Sequence, residues 1–224
     1  MRGRIFGMVA VAALAATAMA QPYYARGEFN GWGLGNVLID LGGGLWHGMV
    51  GGLTPAQEFE YKIAVEDFSR SWPGSNGKVP ADSIGEIHFN FFDIASWSDG
   101  FFPNDRERVG YEDPGQFAWE IMGSFNGWSG PVLALTDQGS GVYAGDMVVP
   151  TAGVYEWKFR KEGDWSISIG DDFGNAAANN VLTTISANQT VHFELDLPNG
   201  RWVPEPASLA CLGIGFALVL RRRR

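Results

Sequence analysis

Apolar and polar residues alternate along the middle of the chain. Tyr155, Trp157 and Phe159 alternate with charged residues, and residues 191–197 carry apolar side chains at every second position. This is the period of a β-strand with one buried face and one solvated face. Gly-rich and Asn-Gly turns recur at short intervals, and no window outside the two ends has the period of an amphipathic helix. The pattern therefore predicts an all-β protein.

Several short segments occur twice along the chain. Gly-x-Phe-Asn-Gly-Trp stands at 27–32 and again at 123–128, an offset of 96 residues, and residues 59–63 match residues 155–159 at the same offset. Such self-similarity is the signature of repeated structural units. Two further matches follow in the same order, namely 44–48 with 141–145 and 87–89 with 191–193.

The matches divide the chain into two tandem copies, expected at residues 23–97 and 117–202. Between them, residues 98–116 are rich in Asp, Gly, Pro and Arg without a period, which predicts a linker or extended loop. Each copy is long enough for one small antiparallel β-sandwich. We therefore expect two sandwiches in tandem.

The first 20 residues have a different composition. Arg2 and Arg4 precede an apolar stretch from Met8 to Ala16, and small residues follow up to Ala20. This order of basic, apolar and small residues predicts a secretory signal peptide over residues 1–20, helical while it is attached and cleaved after Ala20.

The other end joins three features in fixed order: Val203-Pro204-Glu205-Pro206, an apolar run over 207–220, and four arginines. The run has 14 residues, fewer than the roughly 20 that span a bilayer comfortably. Residues 203–224 resemble the PEP-CTERM sorting tail of exported bacterial proteins. The resemblance implies a short transmembrane-type helix, transient anchoring in the inner membrane, and processing near the motif by an exosortase-type protease. An ordinary C-terminal anchor is the alternative.

Charge and cysteine content narrow the choice of partners. The chain has 16 basic and 25 acidic residues, and six of the basic ones lie at the two ends. Without residues 1–20 and 204–224, 10 basic and 24 acidic residues remain, a net charge of −14. This balance argues against nucleic acid, whose phosphates select clustered Lys and Arg. Cys211, the single cysteine, lies in the tail and excludes a disulfide framework.

Catalytic and metal-binding motifs are not found. The sequence has no HExxH, GxSxG or P-loop string, and no pair of carboxylates stands out. His88 and His192 occupy matching outward strand positions without a neighbouring Cys or His, which favours surface residues over metal ligands. We therefore expect no enzyme activity, no metal and no cofactor.

Aromatic residues are the stronger signal. All nine Trp lie between the two processing signals, and exposed indoles suit the flat C–H faces of sugar rings. The second copy resembles the starch- and glycogen-binding early-set modules of carbohydrate-binding family 48, which implies an immunoglobulin-like antiparallel β-sandwich. The resemblance rests on residues 123–128, 141–143, 152–159 and 163–165.

The resemblance implies a glucan platform made of Trp128, Lys158 and Trp165, with Asn179 or Asn180 assisting. The alternation puts Trp157 on the face of the strand that packs into the core. Lys158, the next residue, points to the opposite face, where a ligand can reach it. Trp165 follows Gly163-Asp164 at a hairpin tip, which favours exposure. Trp128 is open to two interpretations, since it follows an Asn-Gly turn and could contact a ligand or fold back onto the sandwich.

The first copy departs from this pattern. It keeps Trp32 and Lys62, but residues 67–72 replace the Gly-x-Trp loop, which makes Trp72 a displaced candidate for carbohydrate binding. Two interpretations stay open: this copy is structural, or it binds a different glycan.

The function expected from the sequence is that of a non-catalytic exported protein of the cell surface or extracellular matrix. It would bind an α-glucan or a related polysaccharide through exposed Trp and Lys side chains. The alternative is a structural or adhesive matrix protein without a defined glycan ligand, because a fold alone specifies no function.

Overall fold

The structure is a computed structural model that describes residues 21–93, 107–115, 117–129, 133–175 and 177–206. This part of the chain is all-β, as predicted, and its helical segments are two single turns of 3₁₀ helix. None of its helices is long and apolar enough to cross a bilayer. The predicted signal helix and the C-terminal apolar helix fall outside the described residues.

The strands alternate with short turns along the whole described chain. In the N-terminal half a 3₁₀ turn at Glu28–Asn30 follows β1, and the strands are β1 Tyr24–Gly27, β2 Asn36–Val37, β3 Ile39–Gly42, β4 Leu45–Val50, β5 Glu58–Ala64, β6 Ser71–Pro80, β7 Ile87–Phe92 and β8 Arg108–Tyr111. In the C-terminal half a 3₁₀ turn at Ser124–Asn126 follows β9, and the strands are β9 Trp119–Gly123, β10 Leu133–Ala134, β11 Thr136–Gly139, β12 Val142–Val149, β13 Gly153–Lys161, β14 Asp164–Ile169, β15 Asn180–Thr184, β16 Gln189–Asp196 and β17 Arg201–Pro206.

Four antiparallel sheets are formed, two from each half. Sheet I has the order β2-β1-β5-β6 and sheet II the order β3-β4-β7-β8. Sheet III, β10-β9-β13-β14, and sheet IV, β11-β12-β16-β17, repeat these two orders, and β15 adds to the first half of β13. The internal repeat seen in the sequence is thus a repeat of topology.

Alternation decides which side chains are buried. Tyr61 and Ile63 on β5, and Trp157 and Phe159 on β13, are fully buried, whereas the residues between them point outward. The Trp157 ring lies 4.9 to 5.4 Å from three aromatic neighbours in edge-to-face contact, namely Phe159, Phe193 and Trp202. Burial of these large rings is the main apolar gain of the fold.

The prediction of two tandem immunoglobulin-like sandwiches is wrong. The four sheets have a propeller-like arrangement, and their buried side chains form one continuous cluster that includes residues of both halves. Among the described residues no sheet consists of four consecutive strands, because the chain alternates between sheets I and II in the first half and between sheets III and IV in the second.

The strand β8 is the main reason for this difference. It lies within residues 98–116, where the sequence predicts a linker, and it pairs with β7 to complete sheet II. Val109 and Tyr111 are each 1% exposed. The ring centroid of Tyr111 is 6.3 Å from that of Tyr61 and 6.3 Å from that of Phe173, one residue from each half. Residues 108–111, which the sequence predicts as part of a linker, are therefore part of the core.

Backbone contacts join β8 to the turn between β16 and β17. The Tyr111 amide donates to the Leu197 carbonyl at 3.0 Å, and Arg108 Nε donates to the Asn199 carbonyl at 2.8 Å. Gly110 packs so closely that a β-carbon there would lie 2.3 Å from the Pro198 carbonyl oxygen. We call this contact between β8 and the β16–β17 turn the seam, and it leaves no room for a side chain at Gly110.

The sorting motif is part of the sheet structure. Residues 203–206 form the second half of β17, the edge strand of sheet IV. In the register with β16, Pro204 lies opposite Phe193 and Pro206 opposite Val191. Proline is tolerated at a sheet edge because the missing N–H need not serve a further strand.

Gly110→Ala tests the seam between the halves. The added methyl group meets backbone atoms that cannot move aside, so we expect unfolding to become easier by about 1–3 kcal/mol, the usual cost of overpacking. Gly35→Ala is the matched control, since no atom lies within 4 Å of its β-carbon position. Denaturant unfolding of both variants is the measurement, and equal effects would contradict the close packing at Gly110.

Candidate functional site

The Gly-x-Phe-Asn-Gly-Trp motif has a structural basis in the second half. A β-carbon at Gly123 would lie 2.6 Å from the Glu156 carbonyl oxygen, so only glycine fits there. Asn126 Oδ1 accepts hydrogen bonds from the amides of Gly123 and Trp128, at 3.3 and 3.1 Å. Gly127 and Trp128 both have left-handed backbone conformations, with φ of 63° and 59°. The turn thereby fixes the direction in which the Trp128 indole leaves the sheet.

The two tryptophans predicted as a glucan platform lie together. The ring centroids of Trp128 and Trp165 are 6.0 Å apart at an interplanar angle of 47°. Trp165, just after the β13–β14 hairpin tip, is 42% exposed, and Trp128 is half-buried. We call this pair the Trp128–Trp165 platform. Neither indole is taken up by the core.

A buried ion pair supports Trp165 from beneath. The Arg160 guanidinium carbon lies 4.7 Å from the Trp165 ring centroid, and Arg160 Nε donates to Glu120 Oε1. Glu120 is 1% exposed and also accepts from the Gly163 amide at 3.1 Å, at the hairpin tip. Sequence reasoning missed both charged residues, although alternation puts Arg160 on the same face as Lys158.

Lys158 lies on the outward face of β13, two residues from Arg160, as alternation predicts. It is half-buried, and this burial lowers the pKa of its amine, while the charges of Asp171 and Asp172 oppose the shift. The charges of Asp171 and Asp172, two carboxylates that the sequence did not link to Lys158, therefore act on its amine.

The hairpin tip that carries Trp165 is held by Asp164. Its carboxylate accepts from the Ser166 amide at 2.8 Å and from the Ser166 hydroxyl at 2.7 Å, and it pairs with Lys161 at 3.1 Å. The Ser166 side-chain and backbone hydrogen bonds, followed by Lys161, lower the pKa of Asp164 to about 2.

The two asparagines named as assistants have different positions. Asn179 is half-buried and donates from Nδ2 to Glu156 Oε2 at 3.1 Å, at the end of β13 nearest the turn before Trp128. Asn180 is only 1% exposed and pairs with Trp157 across the sheet, with its side chain on the inward face of β15. The inclusion of Asn180 among residues that contact a ligand is therefore corrected.

The first half does not bring its three predicted residues together. Lys62 Nζ donates to the carbonyls of Pro73 and Gly74, at 2.6 and 2.8 Å. Trp72 packs on Phe91, with centroids 4.8 Å apart, and the Arg70 guanidinium carbon lies 5.0 Å from its ring centroid. This copy therefore lacks the arrangement expected from the second.

A different aromatic residue lies near Trp32. The Trp32 carbonyl accepts from Arg26 Nε at 2.7 Å, and the Arg26 guanidinium carbon is 3.6 Å from the Phe68 ring centroid. Phe68 is 38% exposed. Phe68 was not predicted from the sequence. The signal that could have identified it is its position after Asp67, in the loop that replaces Gly-x-Trp in the first copy.

Comparison with known proteins identifies one sequence feature. Residues 203–224 match the PEP-CTERM protein-sorting motif. A search of curated proteins finds no significant match. Among solved structures, the chain is similar to the pullulanase from Bacillus acidopullulyticus, with 13% identity and a TM-score of 0.25. That alignment covers 82% of this chain and 28% of the pullulanase, so the chain spans just over a quarter of its length.

The sorting motif defines the route of the protein. A chain with this motif is an exported, membrane-anchored precursor that is processed by exosortase, as the sequence predicted. The motif covers only the last 22 residues, and the β-structure before it carries the candidate binding site.

Glu120→Ala tests the support beneath Trp165. Removal of one partner leaves Arg160 as an uncompensated buried charge, and we expect a loss of about 3–5 kcal/mol in unfolding free energy. Glu162→Ala, an exposed neighbour on the same hairpin, is the matched control and should have little effect. Denaturant unfolding followed by Trp fluorescence is the measurement. An unchanged midpoint for Glu120→Ala would contradict the structural role of the pair.

The hairpin tip should respond to acid. The pKa of Asp164 in the folded protein is about 2, below its ordinary value of 3.8. Its stabilising contribution is therefore complete above pH 3.8 and is lost as the pH falls through about 2. We expect wild type to have a higher Tm than Asp164→Asn at pH 5, with the gap closing near pH 2. Glu162→Gln should show no such pH-dependent gap, and a gap for Asp164→Asn that persists unchanged at pH 2 would refute the assignment.

Proposed function

We propose that the protein is a non-catalytic exported protein of the cell surface or extracellular matrix that binds an α-glucan or a related polysaccharide. The observation that carries the proposal is the contact between Trp128 and Trp165, whose centroids are 6.0 Å apart. Both indoles keep part of their surface free of the core, which is what stacking on a sugar ring requires.

The surroundings of the platform suit a neutral ligand. Arg160, whose guanidinium carbon lies 4.7 Å from the Trp165 ring centroid, is paired with Glu120. The charges of Asp171 and Asp172 act on the amine of Lys158. Asn179, with its amide held by Glu156, is a polar group of the kind that pairs with sugar hydroxyls. A site of this composition offers ring stacking and hydrogen bonds without a strong net charge.

The proposal assigns binding to the second half of the chain. The first half has Trp32, Arg26 and Phe68 in place of the platform, and its Lys62 is directed to backbone carbonyls. For these residues we propose a structural role. The surface or matrix destination is part of the proposal, and the export route that the sorting motif implies supports it.

Affinity electrophoresis in native gels cast with amylopectin or glycogen tests the proposal. We expect wild type to be retarded, and Trp128→Ala and Trp165→Ala each to weaken binding roughly five- to tenfold, because each removes about 1 kcal/mol or more of stacking. Ile185→Ala removes an apolar side chain that is 80% exposed elsewhere, and this control should migrate like wild type.

Two results would count against the proposal. Wild type that migrates equally in gels with and without polysaccharide would favour the structural alternative, in which the protein is retained in the matrix without a glycan ligand. Release of reducing sugar that disappears when one carboxylate is replaced would show an enzyme. Phe68→Ala separates the halves, since it should leave retardation unchanged.

A further inference from the structure

A cleft lies between the two halves, apart from the platform. It has a volume of about 290 Å³ and is lined by the start of β6, residues before and in β8, the loop after β14, and the start of β17. Small-molecule sites usually occupy about 300–1,000 Å³, so this cleft has room for one or two sugar rings and not for a long chain.

Two indoles border the cleft. Trp72 packs one side on Phe91, at 4.8 Å between centroids, and Trp202 packs on Trp157, at 5.4 Å. Both side chains are half-buried, and both line the cleft with the surface that remains. The core holds each ring in place, and the Arg70 guanidinium carbon lies 5.0 Å from the Trp72 ring centroid. The two indoles are therefore fixed apolar walls of the cleft that need no rearrangement.

The charged groups that line the cleft are mainly acidic, with three carboxylates and one guanidinium. Glu107 pairs with Arg70 at 3.3 Å. The charge of Asp172 opposes the lowering of the pKa of Lys62 and of Lys158 that burial causes. Arg108 adds a buried guanidinium to the lining and Asp171 a half-buried carboxylate. Carboxylates and guanidinium groups bond well to sugar hydroxyls, and the excess of carboxylates disfavours an anionic ligand.

The walls of the cleft are held by contacts between the halves. The Ser75 amide donates to Asp172 Oδ2 at 3.3 Å, and the Asn175 amide donates to the Asn76 carbonyl at 2.8 Å. A β-carbon on Gly74 would lie 2.6 Å from Asp172 Oδ2. The loop after β14 is thus fixed against β6, and the cleft is preformed.

We infer that this cleft is a second carbohydrate subsite, which takes one or two rings of a neutral glucan between Trp72 and Trp202. Asp171 and Arg108 bond the hydroxyls of the bound rings. The choice of glucan rests on the proposed function, but the cleft shares no lining residue with the Trp128–Trp165 platform and needs both halves of the chain. One chain then holds a polysaccharide at two points, which raises its avidity.

Titration of the full-length chain with maltotriose, followed by Trp fluorescence, tests the inference. The double variant Trp128→Ala with Trp165→Ala removes the platform, and we expect it still to bind maltotriose with a change in the fluorescence of the remaining indoles. In that background Asp171→Asn and Trp72→Leu should each weaken binding by about tenfold, as expected for a lost charged hydrogen bond or apolar wall. Asp146→Asn, an exposed carboxylate on β12, is the control and should change nothing.

The possible outcomes separate this inference from the proposed function. If wild type binds maltotriose and the platform variant does not, the cleft is no subsite and the platform stands. If the platform variant binds as wild type does and the cleft variants lose binding, the cleft stands and the platform fails. Equal binding by Asp171→Asn, Trp72→Leu and the control would also overturn the inference. The loss of binding in Trp72→Leu is interpreted only if its thermal unfolding matches that of Asp171→Asn. If the two unfolding curves differ, maltotriose binding by Asp171→Asn alone decides the test.

Discussion

Burial of the aromatic rings on β13 is the constraint on which the site depends. Trp157 and Phe159 must point inward to fill the core, and the twofold period of a strand then forces Lys158 and Arg160 outward. A shift of one residue would put the charged side chains in the core and the rings in solvent. The side of β13 that can contact a ligand is therefore determined by the side that must pack into the core.

The strands and the platform could be predicted from local patterns. Alternation identifies β13 and β16, and the repeated motif with its glycines and asparagine singles out Trp128. The arrangement of the sheets could not be predicted in this way. β8 has four residues that are all buried, so it shows no alternation, and its partners are β7 and a turn almost 90 residues later in the chain. The linker prediction is wrong at residues 108–111, because only long-range contacts define this strand.

The same limit explains the errors in the candidate site. Asn179 and Asn180 are adjacent in sequence, and only the register of β15 against β13 shows which of them points inward. Glu120 and Arg160 are 40 residues apart and meet because β9 and β13 pair. Trp72 was assigned to a site with Trp32, although its neighbours across the cleft belong to the other half of the chain. A motif of fixed spacing in the sequence cannot show contacts between residues that are far apart along the chain.

The edge strand β17 both lines the cleft and carries the sorting motif, and its two ends are held by different contacts. At its beginning, Arg201 pairs with Asp196 at 2.7 Å and Trp202 packs on Trp157. Toward its end, Pro204 and Pro206 have no amide hydrogen to offer a further strand, while the register with β16 continues to Pro206. Trp202 precedes the motif and is held by its contact with Trp157. Loss of the tail at the motif would thus leave the wall of the cleft intact, and the mature protein would keep the shape of its precursor there.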